Sequence, residues 1–600
     1  MKKLLISSAV CAALQANIAT ADDDIPEIVV TAKNNQSTDQ LISSAEVFDL
    51  AAIEATQADD IPALLDSVAG ISFTDSGGRG TATNIFIRGN SNSQIIVLID
   101  GVRVGSATLG AAALNSYPIE AIERIEIIKG PYSGLYGADA VGGVVQLFTK
   151  KGNQEGFGSA NVTIGDDSLQ EYSLALHTSG DNYSVQVSAQ TEETDGIDRT
   201  SIVTGGNDDT DGFEEDAFSL GAQVSFSDKT EANLSILVSE NTVEFDNTFG
   251  EDPGLMTENE TFSSALNVTH NFSDSIRWSN TLGINEDESA TNGAFPSEFI
   301  TDRESFGSEL GFNLNANSFL TLGVDYYEEE IESTNDFPVT DRDNTGAFAQ
   351  YSFHSDSYSV SGSLRYDDNS AYGTDTNVSL AGALSLSESV RLSASFGTAF
   401  VAPSFNFLFF PFFGNPDLVP EESESFEVSL DGNSGGFDWR VSAYRTDVEN
   451  LFSFDPSTFL AENIGEAELE GVELTVEKSW AQWLISFNAD FLSATNVDTG
   501  IELDDRAEQT FRLSASRDWG KYSLRFDLKN ESDRFDAGGT ELSSYTLFDV
   551  SATYNFSDAV KLSANIDNLF DEDFTLNLIG ASDRFNTEGR QAKVNLRVSF

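Results

Sequence analysis

IPALLDSVAGISF (61–73), TDSGGRGTATNIFIRG (74–89), IIVLIDGVRV (95–104) and IEAIERIEIIKGPYSGLYGADAVGGVVQLFTKK (119–151) together decide the fold. Ile95–Ile99 and Ile125–Ile128 are short apolar runs bounded by glycine and charge, the signal of buried strands. Ile61–Val68 and Ile119–Ile125 carry apolar residues at i, i+3, i+4 spacing, which predicts short amphipathic helices. Residues 61–152 thus read as a small α+β unit with a glycine cluster at each end. Nothing downstream is similar to it.

From about Gly152 to Phe600 the period becomes two. Tyr183, Val185, Val187 and Ala189 alternate with Ser184, Gln186, Ser188 and Gln190, and Phe548, Val550, Ala552, Tyr554 and Phe556 alternate with polar neighbours. One apolar and one polar face per strand suits lipid outside and a wet lumen inside. A soluble sandwich alternates too, but it closes with far fewer strands. The 600-residue chain leaves room after residue 152 for about 22 strands at roughly 20 residues each, the class whose lumen is plugged. The fold class is therefore mainly β: a transmembrane antiparallel barrel of about 22 strands with an N-terminal α+β plug in its lumen. The expected divisions are 1–21, 22–60, 61–152 and 153–600.

Residues 1–21 read as an export signal: Lys2 and Lys3, an apolar core Leu4–Leu14, and a small-x-small site at Ala19–Ala21. Cys11 is the single cysteine and lies inside that core, so the exported chain has no disulfide or thiol chemistry. No later run reaches the ~20 apolar residues of a membrane helix. With Lys2 and Lys3 removed from the 32 basic residues, 30 face 98 acidic ones. That opposes nucleic-acid binding and favours divalent cations and a salty exterior where charge is screened. The excess suits acidic loops in a marine or halophilic setting.

FIRG (86–89), VLIDGVR (97–103), IERIEIIKGP (122–131) and LYGADAVGGVV (135–145) resemble, in order, the plug of TonB-dependent outer-membrane receptors, with wording nearest to the cobalamin-receptor branch. FGTAFVAPSFNFLFF…GNPDLVPEESESFE (396–427), NLFDEDF (568–574), Gly589-Arg590 and the terminal strand ending in Phe600 resemble the barrel's closing signatures. In that class the terminal strand is read by the barrel-assembly machinery. The resemblance implies an outer-membrane active transporter and not an enzyme. It takes up a scarce bulky nutrient, cobalamin or a related corrinoid, with a ferric siderophore as the alternative cargo. A passive porin would lack the plug, and a barrel enzyme would show a nucleophile–base constellation that is not recognisable here. His177, His270 and His354 are far apart and lack metal-ligand spacing.

By pattern alone the β-prone segment Glu27, Ile28, Val29, Val30, Thr31 and Ala32 is equally the first strand of the plug; ahead of the plug it resembles the family's TonB box, able to add to a partner's sheet edge. Its partner is TonB with the inner-membrane energising complex. Thr74–Asn84 and Gly105–Ala113 are small-residue loops. By position Ala82, Asn84, Ser91, Leu109 and Gly110 match the family's substrate contacts. Asp198, Asn207, Asp209, Asp211 and Asp246 match acidic loops that bind calcium in the cobalamin branch, with Glu258 as a further possibility. The all-oxygen set suits that cation, although clustered aspartates in so acidic a chain are equally a solvated loop. Plug arginines Arg88, Arg103 and Arg124 pair with barrel carboxylates in the family. Phe405–Phe413 (FNFLFFPFF) is either a lipid-facing girdle or a hydrophobic loop above the substrate, and Pro411 favours the loop. Asp505-Arg506 stands where the cobalamin branch has paired arginines, which bears on the cargo.

Overall fold

The computed structural model describes residues 28–29, 31, 33, 36–37, 41–152, 156–202, 209–246, 254–293, 296–455, 460–536, 539–579 and 583–600. The proposed signal segment, together with Glu27, Val30, Ala32 and Asn207, lies outside the described residues.

The plug is built on a five-stranded sheet in the order Ala45–Asp49, Ile122–Lys129, Gly143–Thr149, Ile95–Ile99, Val102–Arg103. Ile95–Ile99 pairs parallel to Gly143–Thr149, and its other partner is antiparallel. The apolar run of this strand is explained by burial on both faces. Ile95, Val97 and Ile99 enter the main core, while Ile96 and Leu98 pack with Ala140 and Val144. Two short helices cover the sheet. Leu50–Thr56 starts at Asp49, whose carboxylate accepts from the Ala52 N–H, and Ile61–Leu65 starts at Asp60, which accepts from the Ala63 N–H, each at 2.7 Å. Such caps satisfy amides that the first turn leaves open. Ile61, Leu64 and Leu65 are fully buried against Ile122, Ile125 and Ile127.

The helix expected over Ile119–Ile125 is not formed. Only Ile119–Ala121 makes a 3₁₀ turn, and the strand already begins at Ile122. A β-branched run with a strand to pair on each side is claimed by the sheet, and helical spacing loses. Within 22–60, the stretch before the expected plug boundary, Ala45–Asp49 supplies the edge of the plug's sheet, pairing Ala45 with Ile128.

The barrel closes with 22 antiparallel strands. Gly158–Gly165 pairs with Gln591–Ser599, Val162 opposite Leu596, and Phe600 exchanges backbone hydrogen bonds with Gly158 across the seam. Closure is required because no strand edge survives unpaired in hydrocarbon. The alternation is inside out: Ser184 and Gln186 are buried toward the lumen, whereas Tyr172, Leu174, Leu176 and Tyr183 are exposed on the outer wall. Among the described residues no helix is long and apolar enough to cross a membrane. One barrel end has tight turns such as Asp181-Asn182 and Asp228-Lys229, and the other has the long connections.

Toward the long-loop end the outer wall is acidic in rows. Glu240, Glu260 and Glu288 stand opposite one another on three successive strands, and Glu286, Asp302, Glu330 and Asp341 on four. Like charges directly opposite destabilise a sheet by roughly 0.2–1 kcal/mol per pair. The thermal unfolding midpoint in neutral detergent, without divalent ions, should therefore be higher at roughly 1 M NaCl, where the screening length is about 3 Å, than at roughly 0.01 M, where it is about 30 Å. An unchanged midpoint would mean that these rows carry no repulsion.

Candidate functional site

The site is built at the long-loop end, where the plug's apex meets the barrel loops. The plug hairpin Ile71–Asp75/Thr83–Ile87 presents Ala82 and Asn84 to solvent. Asn92 stiffens its base, accepting from the Ile85 N–H at 2.6 Å and donating to the Thr83 carbonyl at 2.9 Å. Ser91, half-buried, caps the 3₁₀ turn Asn92–Gln94. In the second apical loop Leu109 is exposed, and Gly110 sits at φ +75 with its missing Cβ 3.4 Å from Ser404. Glycine suits both the left-handed backbone and the close approach.

Ser404 begins the helix Phe405–Phe409, within the aromatic stretch. The Phe405 N–H donates to the Ala107 carbonyl and the Asn406 N–H to the Thr108 carbonyl, both at 3.2 Å. Phe405 packs with Ala107, Ile331 and Phe337, and Phe410 stacks on Phe299. The stretch is thus a loop over the plug and not a lipid girdle. Phe412 at its tip is 97% exposed.

Asp198, Asp211 and Asp246 each place a carboxylate oxygen within 4.8 Å of the others. The loop's own donors hold them: the Thr200 hydroxyl donates to Asp246 at 2.6 Å, the Arg199 N–H to Asp211 at 3.0 Å and the Thr200 N–H to Asp198 at 3.2 Å. Asn586 donates to the Asp198 and Thr200 carbonyls, tying this loop to the last one. Asp209 is exposed outside the trio, and Glu258 is exposed on the outer wall, where its strand pairing directs it away from the lumen.

Of Arg88, Arg103 and Arg124, it is Arg88 that reaches wall carboxylates. It donates to Glu473 at 2.8 Å and to Glu427 at 2.9 Å, and its guanidinium lies 4.6 Å from the Tyr444 ring centre. Burial works against its charge, but Glu427 and Glu473 outweigh that and hold its pKa well above the ordinary arginine value. Lys129 completes the cluster, donating to Glu473 at 2.9 Å. Arg103 and Arg124 instead pair inside the plug, with Asp139 and Glu126. Arg506 donates to the Gly89 carbonyl at 3.0 Å and lies over Phe86, so it fastens the plug.

Ile28–Val29 pairs antiparallel with Gln36–Ser37. Thr31 is fully buried: its N–H and hydroxyl both donate to Glu126, and Tyr136 donates to its carbonyl at 2.8 Å. Lys33 reaches the wall, with Nζ 2.7 Å from Glu309.

Residues 156–569 match the family described as TonB dependent receptor-like, beta-barrel, and residues 37–144 match the TonB-dependent Receptor Plug Domain. The chain belongs to the TonB-dependent receptors. It is an outer-membrane transporter, and the long-loop end is the extracellular one. It is 29% identical over 608 residues to the vitamin B12 transporter BtuB of Photobacterium profundum, covering 98% of each chain. It is 30% identical over 593 residues to that of Vibrio cholerae, covering 95% of each. Among solved structures, the ferric enterobactin receptor PfeA of Pseudomonas aeruginosa aligns at TM-score 0.79 with 18% identity, covering 93% of this chain and 98% of that one. The ferric-catecholate import receptor Fiu of E. coli K12 aligns at 0.80 with 16% identity, covering 94% and 98%. At those identities the likeness is one of fold.

Glu427, Glu473, Glu126 and Glu329 were not singled out by sequence reasoning. Each is one acid among 98, and only the inward parity of its strand gave any signal. Glu473→Ala strands Arg88 and Lys129 without a shared partner, a loss that costs about 3–5 kcal/mol at a buried pair. The expected outcome is a loosened plug, read as faster protease cleavage within 61–152 while the barrel stays heat-resistant. Unchanged cleavage would show that this cluster does not hold the plug.

Proposed function

We propose that this receptor imports a corrinoid of the vitamin B12 type. The observation that carries this reading is the near-full-length identity to two proteins named as vitamin B12 transporters. Plug and loops support it by offering a mixed surface, with polar Asn84 and Ser91 beside apolar Leu109 and the aromatic loop above. Such a mixture suits a large ligand with both amide and apolar faces.

The outer membrane holds no nucleotide and no ion gradient, so a cargo gripped on one side needs outside work to be released on the other. The segment 27–32 supplies the handle. As a β-prone strand it can pair with TonB once Thr31 leaves Glu126 and Lys33 leaves Glu309. Substrate binding need only shift that docking equilibrium, by as much as it favours the undocked state. Deleting 27–32 should abolish uptake while leaving surface binding intact. Uptake that survives the deletion would point to a passive pore.

Calcium would be held by Asp198, Asp211 and Asp246, with Asn207 and Asp209 from the same loop as further oxygen donors. The three carboxylates converge and offer oxygen only, as a hard cation requires. Bound there, the ion would fix the two acidic loops over the substrate. Titration of purified receptor with cyanocobalamin and with ferric enterobactin, each with calcium or chelator, tests cargo and metal together. Cyanocobalamin should bind, and chelation or Asp211→Asn with Asp246→Asn should weaken it roughly tenfold, within the usual range of coupling. Binding of the ferric complex alone would replace the corrinoid reading, and indifference to chelator would remove the calcium.

A further inference from the structure

Among the described residues two large cavities lie between plug and wall, both facing the periplasmic end. The larger, about 1360 Å³, runs from the turns at Asp228, Asp274 and Asn317 up to Arg103 and Arg303. The smaller, about 640 Å³, runs from the turns at Lys521 and Asp558 up to Arg79 and Gly80.

Three observations distinguish them. First, the tail sits in the larger: Lys33 lines it, bonded to Glu309 and, through its carbonyl, to the Thr321 hydroxyl. Among the described residues none before Leu50 lines the smaller one. Second, the plug's attachments differ around the wall. Ion pairs fix it to strands outside 211–401: Arg79 to Glu192, Asp66 to Arg512 and Lys529, and Asp59 to Lys593. Facing the larger cavity the wall holds plug carbonyls instead: Asn267 donates to Asp100 at 2.9 Å, Arg303 to Gly105 at 3.2 Å and Arg365 to Leu135 at 3.1 Å. Hydrogen bonds with a neutral partner part more easily than these partly buried, charge-paired ones. Third, the roof of the larger cavity is joined to the extracellular site. Arg303 and Arg342 both hold Glu329, and Arg342 also donates to the Pro403 carbonyl at 2.9 Å, next to the helix seated on the plug's apical loop.

We propose that the imported nutrient leaves through the larger cavity, whose mouth the resting tail blocks and whose roof the Arg303–Glu329–Arg342 cluster closes against the plug. This rests on the import reading above. Undocking the tail clears the mouth. A further pull draws the plug carbonyls from Arg303 while the ion pairs opposite stay made, so the plug swings on one side without unfolding. The cluster remains on the wall because Glu329 keeps both arginines.

Two cross-links in the full chain test the route. An added Cβ at Gly283 would meet Val102, so Val102→Cys with Gly283→Cys bridges plug and wall beside the larger cavity. Gly80→Cys with Phe213→Cys, also in contact, does so at the smaller. Uptake is followed with cyanocobalamin, or with ferric enterobactin if the unmodified receptor imports that. The oxidised first pair should cut uptake roughly tenfold or more, with surface binding intact and uptake restored by reductant. With uptake taken per bound ligand, because Gly80 lies in an apical loop, the oxidised second pair should transport as the reduced one does. Equal loss with both pairs, or loss with the second alone, overturns the route. Independently of either cross-link, Thr281→Cys alkylated with a bulky maleimide should block uptake and Thr553→Cys should not; the reverse, or no difference, counts against it. Failure of the import reading appears in the unmodified receptor, whereas failure of the route appears only in these comparisons.

Discussion

A sheet in hydrocarbon has to close, since water is absent to satisfy an open edge. The rest of this molecule follows from how that closure is reached. Twenty-two strands make a bore too wide for side chains to fill, so a separate folded unit must fill it. The wall facing that unit is polar, because the alternation that greets lipid with leucine and phenylalanine turns serine, glutamine and glutamate inward. The plug therefore touches much of the wall through charges and amides, with small apolar contacts at Ala138 and Val141 beside Ala399–Val401. Arg88 with Glu427 and Glu473, and Asp66 with Arg512 and Lys529, are the joints. The plug's oily core, Phe48 through Leu147, takes in one buried wall side chain, Leu237. A filler held by ion pairs can be shifted as a body with its core intact.

Sequence periodicity made most of this legible. The period-two stretch gave the barrel and its approximate strand number, and the buried run Ile95–Ile99 gave a central plug strand. Ile119–Ile125 misled because isoleucines at helical spacing are also isoleucines of high strand preference, and the neighbouring strands that decided the matter are distant in sequence. The site was legible unevenly. Ala82, Asn84, Leu109 and Gly110 rest on the resemblance to the family's apical loops, since composition shows only that the loops are rich in small residues. Asp198, Asp211 and Asp246 come from two loops some fifty residues apart in a chain full of aspartate, and their convergence is a product of the fold. The wall glutamates Glu427, Glu473 and Glu329 were invisible because each is one acid among 98, with no resembled motif to single it out.

The tail joins these features. Thr31 gives both its donors to Glu126, a buried carboxylate on the plug's second strand, and Tyr136 returns a hydrogen bond to its carbonyl. These contacts are strong because they are dry, yet few because the segment is short. They give a resting state that a single pairing partner could outcompete with strand hydrogen bonds. Lys33 adds a contact that runs to the wall at Glu309. A displacement of the plug relative to the barrel is thus felt directly at the root of the tail.

That geometry also bears on how the outside signals inward. Leu109 and Gly110 lie on the loop whose Ala107 and Thr108 carbonyls hold the aromatic helix, and the Gly105 carbonyl of the same loop is held by Arg303. Arg342 ties Glu329 to that helix's approach at Pro403, while Arg365 grips Leu135 beside Tyr136, the residue on the tail's carbonyl. From apex to tail these links are hydrogen bonds to backbone carbonyls. Each is weak alone, and each depends on a carbonyl position that a shift of about an ångström would spoil, given the narrow geometry of the bond. A ligand that moves the apical loop need not push on the tail. It need only misalign a few acceptors, and the docking of the tail loses ground.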